Sequence, residues 1–138
     1  MKLVTDRTEM DALLGNEKGT YGYLDLNRVE SCVAMISDLF SEMGISAELP
    51  TKTNWGIPGQ FSVADWPVET QMERYLRNIA LIRTEMAINI PVPISMDKLT
   101  WISANNIEKI LETAVIRIKG IKQSYRYSGE IYAGEELI

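Results

Sequence analysis

The stretch "LNRVESCVAMISDLFSEM" (residues 26–43) decides the fold class. Its apolar residues recur at alternating steps of three and four, which is typical of an amphipathic helix with a narrow apolar stripe. Asp25 is a suitable N-cap and Gly44 a suitable residue just after the last turn, so we predict a helix roughly 28 Å long. The stripe consists of Leu26, Val29, Val33, Ile36, Phe40 and Met43.

Two later stretches repeat this helical period. Pro67 suits the first position of a third helix, and Glu69 suits its first turn. Thr100 is a suitable N-cap for a fourth helix that runs to about Lys122. The third stripe consists of Met72, Tyr75, Leu76, Ile79, Ile82 and Met86, and the fourth of Ile107, Ile110, Leu111, Ala114, Ile118 and Ile121.

The remaining segments are shorter or irregular. A short leading helix is predicted after a cap at Thr5 or Asp6, with an apolar side made of Met10, Leu13 and Leu14. Residues 45–64 contain prolines and glycines and predict an ordered loop, with a short strand near Gln60–Val63. After Ser124, alternating tyrosines and glycines predict an extended segment.

Together these elements predict a mainly α protein. It is a bundle of three long helices with a short N-terminal helix and an extended C-terminal arm. At 138 residues the chain fits a single domain. Residues 1–23 form the leading helix and turn, residues 24–123 the three-helix bundle, and residues 124–138 the tyrosine-rich arm.

The three long helices share a sequence echo. The stretches "VESCVAMI" (29–36), "MERYLRNI" (72–79) and "IEKILETA" (107–114) each have apolar or small residues at positions 0, +3, +4 and +7 and a glutamate at +1. Asn27 and Asn105 also match, two residues before the first apolar position. Two interpretations remain open: three ordinary amphipathic helices, or a duplicated helical hairpin that packs on itself or on other copies.

The composition argues against catalysis and against several ligand classes. There is no histidine, Cys32 is the single cysteine, and the net charge is −5. We therefore expect no enzyme activity, no cofactor, no metal site and no nucleic-acid partner, and we interpret Cys32 as a small buried apolar residue. Many acidic residues occupy polar helix positions and are predicted to be solvated: Glu30, Asp38, Glu73, Glu108 and Glu112.

The residues best suited to bind a partner are aromatic. Trp55 lies between Asn54 and Gly56 in the predicted loop, where it is a candidate for an exposed aromatic that stacks on a sugar or fills a partner's pocket. In the C-terminal arm, tyrosines offer a large contact area at a low entropy cost. The arm's candidate partner-binding residues are Tyr125, Tyr127, Ile131 and Tyr132. Whether the arm packs on its own bundle or on a neighbour is left open.

Successive blocks of the chain resemble small, largely uncharacterised proteins encoded in the tail or baseplate region of phages and prophages of Gram-positive bacteria. The blocks are "TDRTEMDALL" (5–14), "YGYLDLNRVE" (21–30), "KTNW" (52–55), "DWPVETQMERYLRNI" (65–79), "SMDKLTWISANNIEKIL" (95–111) and "YRYSGEIYAGE" (125–135). The resemblance covers nearly the whole chain. It implies a virion-structural or tail-associated role and supplies no catalytic residues. The short connection "GNEKGTYG" (15–22) departs from the longer insertion that is common in this family, which leaves the orientation of the first helix open.

The functional expectation follows from these points. We expect a non-enzymatic structural protein of a phage or prophage tail that contacts other phage structural proteins and further copies of itself as a homo-oligomer. The alternative is a small module that binds host-surface carbohydrate through Trp55. The N-terminus lacks an apolar signal-peptide core, and the most apolar stretch is broken by charges and prolines, so we expect no signal peptide and no membrane contact. The expected location is the virion, after synthesis in the cytoplasm of the host bacterium.

Overall fold

The structure, a computed structural model, describes the backbone of residues 2–56, 69–97 and 99–136, and the side chains of these ranges as far as residue 123. Within these ranges four helices follow one another: α1 (Glu9–Leu14), α2 (Tyr23–Glu42), α3 (Glu69–Glu85) and α4 (Trp101–Glu136). The described ranges are mainly helical and hold no strand. The predicted mainly α fold, with three long helices and one short leading helix, is therefore confirmed.

The core lies where α2, α3 and α4 pack against one another, and it is built from the predicted apolar stripes. Met43 and Met72 lie at its edge and are partly buried, whereas Ile121 is 45% exposed. Leu49, Trp55 and Ile88 complete the core from the connecting segments. The stripe residues that are fully buried, with no accessible surface, are Val29, Ile36, Phe40, Ile79, Ile82, Ile107, Ile110, Leu111, Ala114 and Ile118.

The ends of the long helices follow from local hydrogen bonding. Gly22, and not Asp25, occupies the N-cap position of α2. Asp25 is the third residue of the helix, and its carboxylate accepts the Gly22 N–H at 2.8 Å. Gly44, with a φ of 75°, follows α2 in the left-handed region that favours glycine, as predicted. The predicted capping role of Thr100 is confirmed, because its hydroxyl accepts the Ser103 N–H at 3.1 Å.

The leading helix α1 differs from its prediction. Its N-cap is Thr8, which forms a reciprocal capping box with Asp11, so neither Thr5 nor Asp6 caps it. No residue of α1 is buried. Its predicted apolar side, Met10, Leu13 and Leu14, is exposed to solvent.

Several predictions fall on residues outside the described ranges. These are the short strand near Gln60–Val63 and the helix start at Pro67. The first described residue of α3 is Glu69.

The C-terminal segment corrects one prediction, because the backbone of residues 124–136 is helical and not extended. Once a helix is formed, each added residue gains one hydrogen bond, so continuing α4 is easier than starting a new element. Gly129 and Gly134 each destabilise the helix by about 1 kcal/mol relative to alanine, but they do not end it. The alternating tyrosines and glycines of this segment were therefore an unreliable signal for extended structure.

Candidate functional site

Two helices each hold an extended segment of the chain through an Asn-x-x-Glu motif. The first, which we call the α4 clamp, consists of Asn105 and Glu108 of α4 and residues 4–7. The Asn105 side chain accepts the Arg7 N–H at 3.0 Å and donates to the Arg7 carbonyl at 2.9 Å. Glu108 accepts the Val4 N–H at 3.0 Å. The segment therefore runs antiparallel to the helix and is fixed at its first and fourth residues.

A balanced group of charges surrounds the α4 clamp. Arg7 donates to Glu108 at 2.6 Å and to Asp25 at 3.1 Å. Arg28 of α2 donates to Glu108 through Nε at 2.6 Å and through Nη2 at 2.9 Å, and it also meets Asp25 at 2.5 Å. Two guanidinium groups thus face two carboxylates. Burial acts to lower the pKa of Arg28, but the hydrogen bonds to Glu108 and Asp25 outweigh it and raise that pKa.

The second clamp, the α2 clamp, consists of Asn27 and Glu30 of α2 and residues 52–55. The Asn27 side chain accepts the Trp55 N–H at 2.7 Å and donates to the Trp55 carbonyl at 2.8 Å. Glu30 accepts the Lys52 N–H at 3.1 Å and the indole N–H of Trp55. Arg74 of α3 meets both oxygens of Glu30, at 2.5 and 3.1 Å.

The asparagine and the glutamate of each clamp form corresponding sets of hydrogen bonds. In each, the asparagine pairs with the backbone of the fourth residue of the segment, and the glutamate accepts the first residue's N–H. The glutamate also accepts a side-chain donor from the fourth residue and a two-pronged arginine from a neighbouring helix. The held sequences are "VTDR" (4–7) and "KTNW" (52–55), which share a threonine followed by Asp or Asn.

The sequence echo contained part of this arrangement. It aligned Asn27 with Asn105 and Glu30 with Glu108, but Glu30 and Glu108 were predicted to be solvated, and both are buried. The reason is that the +1 position lies beside the apolar stripe, where an extended segment covers it. The prediction of solvent exposure holds for Asp38, Glu73 and Glu112. The shared Asn-x-x-Glu spacing was the signal that identifies the two buried glutamates.

A pair of tyrosines and the single cysteine lie in the same interior. The hydroxyls of Tyr21 and Tyr75 are hydrogen-bonded to each other. Burial raises the pKa of both phenols, so both are protonated at neutral pH. Burial also raises the pKa of the Cys32 thiol to about 11, with a further contribution from the charge of Glu108. Cys32 is buried in the core, which confirms its interpretation as a small apolar residue.

The clamps leave no buried polar group free to act on a ligand. In the described part of the chain, every buried side-chain nitrogen and oxygen has a hydrogen-bond partner. The same residues contain no group of three or more acidic or cysteine side chains arranged to hold a metal ion. None of the described helices is long and apolar enough to cross a membrane. The clamps are therefore best understood as structural supports of the fold.

The structure corrects the expectation that Trp55 is exposed. Only 1% of its surface is accessible, because the α2 clamp holds its backbone and Glu30 accepts its indole N–H. Its ring is also covered by the ammonium group of Lys52, 5.1 Å from the ring centre. For the other predicted partner-binding residues, the structure gives a helical backbone, and their side chains lie outside the described set: Tyr125, Tyr127, Ile131 and Tyr132.

Apolar side chains remain exposed elsewhere on the surface. On α1, Met10, Leu13 and Leu14 are spaced to share one side of the helix, and each is more than half exposed. Leu24 is similarly exposed at the start of α2, where it borders a groove of about 630 Å³ beside the loop that follows α1. Ile94 is fully exposed. None of these positions was predicted to be the contact surface.

A smaller groove, of about 320 Å³, lies between the first turns of α3 and the segment 94–97. Its walls combine acidic and apolar side chains. They comprise Glu69, Met72, Glu73, Leu76, Ile94, Ser95, Met96 and Asp97.

Comparison of the chain with family models, with curated proteins and with solved structures gave no match.

Proposed function

We propose that this protein is a non-enzymatic structural component of a phage or prophage tail, and that it acts through protein–protein contacts. The observation that carries the proposal is the contrast between interior and surface. The buried polar groups of the described residues are all paired, whereas large apolar side chains on α1 and at the start of α2 are uncovered. Apolar surface of this kind is typical of a protein-binding face.

The side of α1 formed by Met10, Leu13 and Leu14 is the best-defined part of that surface. Half of the residues of this helix are large, apolar and exposed, yet the helix is fixed at both ends, by its capping box and by Gly15 in the left-handed conformation. A helix whose two ends are already capped loses less entropy on binding than an unstructured segment would. The proposed partners are other tail subunits and further copies of this chain, and the proposed location is the virion.

The sequence resemblance supports the biological setting, and the structure supports the mode of action. The resemblance to tail-region proteins covers nearly the whole chain and carries no catalytic residues with it. The carbohydrate-binding alternative depended on Trp55 as an exposed platform, and Trp55 is buried in the α2 clamp. No other observation favours that alternative.

The test is to look for the protein in particles. Particles induced from the strain that carries the gene are purified by density gradient and analysed by mass spectrometry. We expect the protein in a fixed ratio to known tail subunits, and defective or missing tails after deletion of the gene. Absence of the protein from intact, infectious particles would overturn the proposal.

A matched pair of variants then tests the contact surface. Leu13→Glu combined with Leu14→Glu places charge on the apolar side of α1 and is expected to lower incorporation about tenfold or more. The fold is expected to survive, because neither residue is buried. Glu17→Gln, in the adjacent exposed loop, is the control and is expected to incorporate normally.

A further inference from the structure

Helix α3 also has a glutamate at the position that holds a chain segment in the two clamps. On α3 this glutamate, Glu73, borders a groove. Met72 of α3 aligns with Val29 of α2 and Ile107 of α4, so Glu73 is the counterpart of Glu30 and Glu108. The residues at +3, +4 and +7 are buried in all three helices. The three glutamates therefore share one register position relative to these buried residues, although Met72 is only partly buried.

What differs is the cover over the glutamate. Residues 52–55 lie over Glu30, and residues 4–7 lie over Glu108. Glu73 is exposed, and no described residue is hydrogen-bonded to it or forms an ion pair with it. It borders the groove between α3 and the segment 94–97 instead. Position 70, the counterpart of Asn27 and Asn105, is Thr70, which has a single hydroxyl in place of the two-pronged amide.

We propose that this groove, which we call the α3 groove, binds an extended peptide segment of a partner protein, with an arginine as the fourth residue of the bound tetrapeptide. The proposal rests on the proposed function and names the chemistry of one contact. The two occupied clamps show how such a segment is held: by its first N–H and by a side-chain donor on its fourth residue, both directed to the glutamate.

The charge and polarity of the groove favour arginine over tryptophan at that fourth position. Three carboxylates line it, those of Glu69, Glu73 and Asp97, and no basic side chain is among the described residues of its walls. A guanidinium group pairs with carboxylates through two parallel hydrogen bonds, as Arg28 and Arg74 do in the clamps. The exposed Ile94 and the partly buried Met72 and Met96 provide apolar contacts for the rest of the segment.

The threonine at position 70, where the clamps have asparagine, explains why a bound peptide would dissociate readily from the α3 groove. Without the asparagine amide, the backbone of the fourth residue loses the paired hydrogen bonds that fix Arg7 and Trp55. Binding is then weak and reversible, which suits a contact made during assembly.

The experiment uses the full-length, isotope-labelled protein and a capped peptide with the sequence of residues 2–9, "KLVTDRTE". This peptide carries the tetrapeptide that the α4 clamp holds. We expect amide shifts at Glu73, Ile94 and Asp97 in nuclear magnetic resonance spectra, with a Kd of about 1 mM, which corresponds to about 4 kcal/mol. The same peptide with methionine in place of arginine is expected to bind about tenfold more weakly.

Three variants complete the test. Glu73→Gln is expected to weaken binding about tenfold, and Thr70→Asn, which completes the Asn-x-x-Glu motif, to tighten it about tenfold. Glu112→Gln, at an exposed position of α4, is the control and is expected to leave the Kd unchanged. Shifts that are absent at about 10 mM peptide, confined to other surfaces, or insensitive to Glu73→Gln and Thr70→Asn would overturn the inference.

The two proposals fail separately. A protein that is present in particles but does not bind the peptide retains its proposed function and loses the α3 groove. A protein that binds the peptide through Glu73 but is absent from particles retains the groove and loses the tail role.

Discussion

The α4 clamp and the α2 clamp use the same hydrogen bonds but very different charges. Glu108 faces two guanidinium groups, and Asp25 balances the second. Glu30 faces a single guanidinium, that of Arg74, and takes its other donor from the neutral indole of Trp55. One scaffold of backbone hydrogen bonds therefore accepts either a cation or an aromatic donor at the fourth position of the held segment.

The comparison shows which part of a clamp positions the chain and which part determines how much stability is lost when one residue is replaced. The asparagine pair is alike in both clamps and fixes the register of the extended segment. The charged part differs, and removing one member of a buried ionic group is costly because its partners stay behind without compensation. The α4 clamp should therefore be the more sensitive of the two to loss of its glutamate.

The largest expected effect is that of Glu108→Gln. It leaves two cations, Arg7 and Arg28, with Asp25 as their only carboxylate, and Arg7 has 2% of its side chain exposed. We expect the free energy of unfolding, measured by urea denaturation at neutral pH, to fall by about 3–5 kcal/mol. A loss below about 1 kcal/mol would show that the buried charges contribute little to the stability of the α4 clamp.

Glu30→Gln tests the same step in the α2 clamp and should cost less. Arg74 has 18% of its side chain exposed, so water can solvate part of the guanidinium once Glu30 is neutral. Only one cation loses its partner. We expect a loss of about 2–3 kcal/mol in the same urea measurement. If Glu30→Gln proves as damaging as Glu108→Gln, the number of cations is not what separates the clamps.

The substitutions Asn27→Ala and Asn105→Ala should behave alike. Each removes one hydrogen bond to a backbone N–H and one to a carbonyl, at closely similar distances. Asn105→Ala removes in addition only the long hydrogen bond from Arg7 Nη1, at 3.4 Å. We expect each to lower the free energy of unfolding by about 1–3 kcal/mol, with a difference between them below about 1 kcal/mol. Unequal losses would mean that the two clamps are not equivalent in their backbone part.

The smallest effect concerns the reactivity of Cys32. With a thiol pKa of about 11, roughly one thiol in a thousand is ionised at pH 8, and the side chain is buried as well. We expect slow reaction with a disulfide reagent in the folded protein and fast reaction in urea. Glu108→Gln removes a charge that raises this pKa and loosens the fold, so it should accelerate the reaction in the absence of urea. Rapid labelling of the unaltered protein would contradict the burial of Cys32.

Much of the fold could be predicted from the sequence, because its signals are local. The alternation of steps of three and four located the apolar stripes, and Gly44 and Thr100 marked helix ends. The C-terminal segment was predicted incorrectly because its local pattern favours extended structure, whereas its actual state depends on the helix that precedes it. Trp55 was predicted incorrectly for a similar reason: a loop position gives no information about which helix will cover it.

Most features of the candidate sites could not be predicted from the sequence. The echo brought Asn27 and Asn105 into alignment, and with them Glu30 and Glu108, but it gave no reason to bury two carboxylates. Their partners Arg7 and Arg74 lie 101 and 44 positions away along the chain, at distances where spacing carries no signal. The α3 groove was equally hidden, since it forms only where α3 meets the segment 94–97.

The sequence by itself determined that the chain forms amphipathic helices, because helical periodicity is a property of neighbouring residues and needs no distant contact. Only the tertiary structure decided which polar residues are buried, because a carboxylate enters the interior when cations and backbone N–H groups from other segments arrive to compensate its charge. The same Glu at the same helical position is therefore buried on α2 and α4, where an extended segment covers it, and exposed on α3, where none of the described segments does.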